Sequence, residues 1–365
     1  MRGGTVAVLG AVSLLAACAD SGRTARSAPV AVVASTSTVP APTTTATLAP
    51  PATTATVAPA ATSGEWVLLA VGDVLMDDTE PAGVNPLAGV VPALSTADLA
   101  VVNAEMVVAT GGVAAEKSFV FRAPPSAAAT LAAAGVDVAN LANNHSLDFG
   151  PDAMLETVAH LRDAGVVTVG AGADGAAAYA PAMFSVAGTR VAVLGATRVV
   201  PRRDWAAGEG PGVASAYDRR RLVAAVRAAR AAAEVVVVAV HWGQEGAACP
   251  EPAQEELADA LLDAGAAVVL GSHPHVLQPV RRDPRGVVAY SLGNFVFHRR
   301  QGIYGETGVL EVRFAGARVV GQRLYPHVLF DGPPHPAGPV SAARIAAAAG
   351  APCLPPAPPP PAPQP

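Results

Sequence analysis

Short, mainly apolar runs recur along the middle of the chain, at residues 66–71, 99–102, 136–141, 191–195, 235–240 and 266–270, with polar residues only at Asp137 and Asn140 of the third. Strands covered on both faces read this way, as in the buried sheet of an α/β protein. Between the runs lie stretches with apolar positions at helical spacing. Residues 151–164 carry Met154, Leu155, Val158 and Leu161 on one face, open on Pro151 and are followed by Gly165. Proline at the start and glycine just past the end is the asymmetry of a helix. Residues 218–233 and 251–264 repeat the pattern, the latter closed by Gly265. After about residue 276 strand–turn–strand segments follow, at 276–280, 287–292, 308–314 and 318–325. This order predicts two sheets with helices outside, an α/β sandwich.

The ends of the chain carry a different pattern. Met1-Arg2 precedes an apolar run over 6–17, too short to span a bilayer of about 30 Å as a helix. The run ends in Leu15-Ala16-Ala17-Cys18, a lipobox pattern in which Cys18 is lipidated and becomes the mature N-terminus. The alternative is a plain signal peptide with an incidental cysteine, and either reading exports the protein. Residues 19–64 are Ala, Thr, Pro, Ser and Val with few large side chains, too little apolar surface to offset chain entropy. The expected organisation is a lipoprotein signal peptide at 1–18, a disordered tether at 19–64, a folded domain at 65–331 and a C-terminal segment at 332–365. That last segment has a helical fragment at 342–349 and a Pro-rich tail from Pro352. The expected location is the outer face of the cytoplasmic membrane, held by the lipid. With Cys18 lipidated, Cys249 and Cys353 are left, either as a disulfide or as two unpaired thiols.

Composition narrows the partners. Charged residues make up 15% of the chain and the net charge is −5, which argues against nucleic acid. A small anionic substrate stays open, because a bound metal outweighs distant carboxylates.

The chemistry sits where the runs stop. Residues 67–71 are followed by Gly72-Asp73, 99–102 by Asn103-Ala104-Glu105, and 136–141 by Ala142-Asn143-Asn144-His145-Ser146-Leu147-Asp148. Residues 235–240 lead to His241-Trp242-Gly243, and 266–270 to Gly271-Ser272-His273-Pro274-His275. Ligand crevices of open α/β sheets form at strand carboxyl ends. Of the eight histidines, His145, His241, His273 and His275 fall in these turns, whereas His160, His298, His327 and His335 do not. Carboxylate, amide oxygen and imidazole together suit Zn, Mn or Fe. Phe119 and Phe121 read as core at strand spacing, and Arg122 as a contact for an anionic substrate. Tyr290-Ser291-Leu292-Gly293-Asn294-Phe295 reads either as a structural turn or as a rim loop with Asn294 facing substrate.

These motifs, in this order, resemble the CapA family of poly-γ-glutamate capsule proteins, a variant of the binuclear metallophosphoesterase plan. The likeness includes Asp148, Gly150 and the run His241-Trp242-Gly243-Gln244-Glu245, and spans about residues 67–331. It implies a four-layer α-β-β-α sandwich of the metallophosphoesterase type. It implies one or two divalent metals held by Asp73, Glu105, Asn144, His241, His273 and His275. It implies His145 as general acid, or as donor to an anionic intermediate, oriented by Asp148. The implied activity is that of a metal-dependent hydrolase or transferase in capsule polymer biogenesis, with a non-catalytic polymer-binding or assembly module as the alternative. The implied partners are an anionic envelope polymer or a phosphorylated small substrate, within a capsule-synthesis complex. One departure stands out. Ordinary metallophosphoesterases read Asp-x-His in the first motif, and this chain reads Asp73-Val74-Leu75, so one metal position lacks a nitrogen ligand.

Overall fold

Valine-rich runs with no polar face must be covered on both sides, and here each sheet covers one side of the other. The computed structural model describes residues 64–77, 85–90, 94–330, 332–350 and 353. The stretch expected to be a signal peptide with Cys18, the stretch expected to be a tether up to residue 63, and the Pro-rich tail apart from Cys353 lie outside the described residues. Among those described, no helix is long and apolar enough to cross a membrane.

The first sheet has eight strands. Glu65–Val74, Leu99–Ala104, Val138–Asn140 and Val167–Val169 run parallel, and Glu306–Ala315, Arg318–Val328 and His335–Pro336 extend it antiparallel on the other side of Glu65–Val74. Asn294–Val296 pairs with the end of Glu65–Val74. The second sheet has six strands in the order Val280–Asp283, Gly286–Ala289, Val268–Ser272, Val235–His241, Thr189–Thr197, Ala182–Val186, parallel except at its edges.

Successive side chains of a strand point to opposite faces, and the layers follow from that. Leu68 and Ala70 join Val193, Val237 and Leu270 in the core between the sheets. Leu69 and Val71 join Leu131, Met154 and Leu161 of helices Ser126–Ala133 and Gly150–Asp163 on one outer face. Val236 and Val238 join Leu222, Val226, Leu257 and Leu261 of helices Arg219–Ala232 and Pro252–Asp263 on the other. The architecture is therefore α-β-β-α in four layers, and the lack of alternation in the runs is its signature.

Register and close approach bring the strand ends together. In the first sheet Asp73 lies opposite Asn103 and Asn294, and Asn103 opposite Asn140. In the second, His241 lies opposite Ser272. Two glycines let backbones cross at these ends. A Cβ on Gly72 would sit 1.8 Å from the Gly293 carbonyl oxygen, and one on Gly271 would sit 1.9 Å from that of Tyr290.

Three segments differ from the sequence expectation. Residues 276–280 do not form a strand before Val280: the bend after His275 ends at Val276, Leu277 makes only an isolated bridge to Leu292, and the chain then passes Gln278. That side chain is fully buried, accepts from Gln254 Nε2 and donates to the carbonyls of Ala247 and Cys249. Phe119 is 67% exposed, so only Phe121 of the pair is core. Beyond residue 331 the chain adds strand His335–Pro336 and helix Pro339–Gly350, whose Ile345 packs on Leu277 and Val328. Cys249 and Cys353 are joined by a disulfide with Cα atoms 5.6 Å apart, which ties the end of the described chain to the loop after His241.

Candidate metal centre

The strand ends deliver a shell of polar side chains into the protein interior. Asp73, Glu105, Asn140, His241 and Asn294 have no exposed surface, and His145, His273 and His275 are 5–6% exposed. Burial of this kind needs partners, and most of the atoms have them. Asn140 Nδ2 donates to Asn103 Oδ1 at 2.9 Å, and Asn103 Nδ2 donates to Asp73 Oδ1 at 2.9 Å. The row of residues in register thus becomes a hydrogen-bond chain ending on Asp73. His275 Nδ1 lies 3.1 Å from Asp73 Oδ2 and 2.9 Å from Asn294 Oδ1. The His273 amide donates to Asp73 Oδ2 at 3.2 Å. His241 Nε2 is 2.7 Å from Asn144 Oδ1, while its Nδ1 faces Ser272 Oγ at 3.1 Å and Asn103 Nδ2 at 3.3 Å.

Two atoms stand out because they lack a partner. Glu105 Oε1 and His273 Nδ1 are buried without a hydrogen bond. Around Glu105 Oε1 stand His241 Nε2 at 3.6 Å, His275 Nε2 at 3.7 Å and His145 Nε2 at 3.9 Å. These distances are long for hydrogen bonds. Those to His241 and His275 match donors that share a cation with Glu105, since two ligands each about 2.1 Å from a tetrahedral ion stand about 3.4 Å apart. Donor atoms of Glu105, His241 and His273 lie within 4.8 Å of one another, and so do those of Asp73, Glu105 and His275. The residues present therefore fit a divalent cation, with Glu105 common to both groups and Asn144 Oδ1 beside the first.

Electrostatics agrees with the geometry. Burial first, then the charge and hydrogen bond of Asp73, pushes the Glu105 carboxyl well above its usual range. Burial, followed by the neighbouring His273 and His275, holds His241 well below the usual imidazole value. His273 is held down to about 3 by the same causes, burial and His275. Burial also works against a charge on His275, but the hydrogen bond and charge of Asp73 outweigh it with help from Glu245, and the net direction is up. Two buried acids in contact and two imidazoles kept neutral form a set that a cation satisfies, because nitrogen ligands bind unprotonated. His273 and His275 also hold left-handed backbone, at φ 96° and 59°. Such conformations cost of order 1–3 kcal/mol each and cluster at functional sites.

The His145 side chain sits beside this group on its own support. Its Nδ1 lies 2.7 Å from Asp148 Oδ2, which also accepts from the Phe121 amide at 2.7 Å. Phe121 stacks on the ring with centroids 4.0 Å apart. Asp148 Oδ1 is paired with Lys117 Nζ at 2.5 Å, and the same ammonium donates to the Asn144 carbonyl at 2.6 Å. Burial lowers the His145 pKa, and Asp148 opposes that shift.

Two residues expected to meet substrate are placed elsewhere. Asn294 is fully buried behind His275, and its Nδ2 donates to the carbonyls of Arg299 and Tyr304. Its neighbours leave it no open face for substrate. The Arg122 guanidinium lies 3.6 Å from the Phe149 ring centroid and donates to the Gly111 carbonyl, which turns its charge toward a loop. The cation that does reach the site, Lys117, is not among the residues that the sequence motifs mark. A signal for it exists: it is the only lysine beside 23 arginines.

Comparison with known proteins follows the same lines. Residues 67–299 match the family described as "Bacterial capsule synthesis protein PGA_cap". The capsule biosynthesis protein CapA of Bacillus anthracis is 40% identical over 167 residues, 45% of this chain and 41% of that protein. The PGA biosynthesis protein CapA of Bacillus subtilis is 39% identical over 161 residues, 44% of this chain and 42% of that protein. The matches thus span less than half the length of these relatives. Among solved structures, the NAD nucleotidase of Haemophilus influenzae has a TM-score of 0.46 at 13% identity, covering 78% of this chain and 62% of that one.

Proposed function

Because this chain belongs to the bacterial capsule synthesis protein family PGA_cap, we propose that it serves capsule polymer synthesis as a metal-dependent hydrolase or transferase acting on an anionic, poly-glutamate-like polymer. The observation that carries the metal part is Glu105 Oε1, buried without a hydrogen bond and ringed by three imidazole nitrogens at 3.6–3.9 Å. The family supplies the polymer part.

Asp73, Glu105, Asn144, His241, His273 and His275 would hold the cation. When bound, a divalent ion supplies Lewis-acid stabilisation of negative charge developing on a phosphoryl or carbonyl oxygen. The rest is work for the chain's own groups. Asp148 keeps the Nδ1–H tautomer of His145 and the Phe121 ring limits its rotation, so Nε2 is the atom that faces the centre. Lys117 balances the charge of Asp148 and pins the carbonyl of Asn144, which holds the turn carrying both a metal ligand and the proton donor. An anionic substrate adds to the pull of Asp148 on the imidazolium. His145 Nε2 then carries the proton that a leaving group takes up.

The test is to load the full chain with Mn2+ or Zn2+ and assay phosphate esters and poly-γ-glutamate. His145→Ala should keep its metal and lose about 10²–10⁴-fold in kcat. Leu75 in place of the histidine of ordinary metallophosphoesterases favours a second reading, in which the centre binds polymer without turning it over. Wild-type protein that retains poly-γ-glutamate but cleaves or transfers nothing would decide for that reading.

A further inference from the structure

A strongly charged furrow lies apart from the metal centre. Three adjoining hollows, of about 750, 170 and 590 Å³, share Tyr217 as a wall and run beside helices Arg219–Ala232 and Pro252–Asp263. Arg198, Arg203, Arg219, Arg220, Arg221 and Arg227 line them, against the carboxylates of Asp218, Glu256 and Asp263. The balance is positive on a chain whose net charge is −5. Two of the three acids are already engaged: Asp218 accepts from the Arg221 amide, and Asp263 from Arg285 Nη1.

The six arginines keep their charge available. Among the described residues none of them forms an ion pair, whereas Arg281 and Arg285 are bound to Asp259, Asp263 and Asp283. Rings and carbonyls brace two of the six. The Arg198 guanidinium lies 5.4 Å from the Tyr217 ring centroid and donates to the Ala253 carbonyl, and that of Arg221 lies 4.3 Å from the Tyr179 centroid. Arg203, Arg219, Arg220 and Arg227 are exposed, and Tyr217 is 65% exposed. Arginine with tyrosine is the composition of binding hot spots. The furrow also begins at the metal-binding rim: Thr197 lies opposite His241, and the Arg198 amide donates to the His241 carbonyl at 2.7 Å.

We propose that this furrow is a docking site for a polycarboxylate chain, holding carboxylates remote from the metal centre and leading the polymer toward it. The proposal rests on the polymer reading above and adds a second site to it. Guanidinium forks match carboxylates bidentately, and a row of them suits an anion that repeats along a chain. The negative net charge of the protein opposes a nucleic acid in the same place. Grip at two places raises the affinity for long polymer over short.

Full-length protein in chelator is titrated with fluorescently labelled poly-γ-glutamate at low and at physiological salt. Wild type is expected to bind without metal, because the furrow works through guanidinium groups, and more weakly as salt rises. Arg220→Glu/Arg227→Glu should weaken binding about tenfold or more. Arg282→Glu/Arg318→Glu makes the same charge change at exposed arginines outside the furrow and should stay within about twofold of wild type. Equal losses in the two double variants overturn the furrow, because net charge alone would then govern binding. Wild-type affinity in Arg220→Glu/Arg227→Glu, or wild-type binding that requires Mn2+, overturns the furrow and leaves the polymer reading standing. A DNA oligonucleotide that binds more tightly than poly-γ-glutamate of equal charge overturns the assignment to carboxylates. Wild type that binds no poly-γ-glutamate, with or without Mn2+, overturns the furrow and the polymer reading together.

Discussion

Glu105 and Lys117 show how single residues set the chemistry. Glu105 is buried beside Asp73 with one oxygen unpaired, a costly arrangement unless a cation completes it. Lys117 works in the opposite sense, because its ammonium already meets Asp148, which has no exposed surface. Removing one partner of a buried pair strands the other charge. Lys117→Met is therefore expected to lower unfolding stability by about 3 kcal/mol in urea titration. A loss under about 1 kcal/mol would match an ordinary surface pair instead. The histidines give a pH signature in metal-free protein. His273 is held down to about 3 when folded, against 6.5 as its ordinary value. Below 6.5 the unfolded chain takes up a proton that the folded one refuses. Its contribution is thus present above pH 6.5 and lost as pH falls toward 3, at up to about 1.4 kcal/mol per pH unit. His275, raised by Asp73, runs the other way: it stabilises below pH 6.5 and loses that contribution as pH rises. Urea titrations in chelator between about pH 7 and pH 5 should show wild type losing stability relative to His273→Ala on acidification, and gaining it relative to His275→Ala. Parallel pH curves would contradict both assignments.

At the scale of elements, the centre is a product of strand register. Asp73, Asn103 and Asn140 lie abreast because three parallel strands end together, and His241 reaches its place beside Ser272 in the same way. Gly271 is what permits the second sheet's turn to come in under the Tyr290 carbonyl. Gly271→Ala is expected to cost about 1–3 kcal/mol by overpacking and to weaken metal binding, because His273 and His275 follow immediately. Urea titration and metal analysis of the same variant check both effects, and a stable variant with full metal would show that the turn can shift. The ligand-bearing turns are legible in the sequence because each follows a mainly apolar run, a strong signal. Their supporting residues are much harder to read. Asn140 sits inside such a run and reads as part of a strand, yet it links Asn103 to the hydrogen-bond chain. Lys117 lies on a stretch with no periodicity, and Asn294 shows its residue type but not its direction. Orientation behind or in front of His275 depends on the pairing of Asp73 with Asn294, a contact between segments 221 residues apart that no local pattern encodes.

For the whole molecule, the two sheets bring to one place residues from both halves of the chain. Asp73, Glu105, Asn144 and His145 come from the first sheet and its turns, and His241, His273 and His275 from the second. The four-layer architecture follows from the sequence because strands buried on both faces need sheets and helices to cover them. The extent of the fold does not, since helix Pro339–Gly350 is half alanine and shows little beyond Ile345 to mark a buried face. The meeting of both halves on one cation is the central claim. It is tested most directly by dialysing the full-length chain against Mn2+ or Zn2+, with and without Asp73→Ala and His241→Ala, and counting metal per folded chain. The account predicts at least about one tightly held ion in wild type, lost when a ligand from either half is removed. A folded wild-type chain that emerges free of metal, or variants that bind as wild type does, would contradict it.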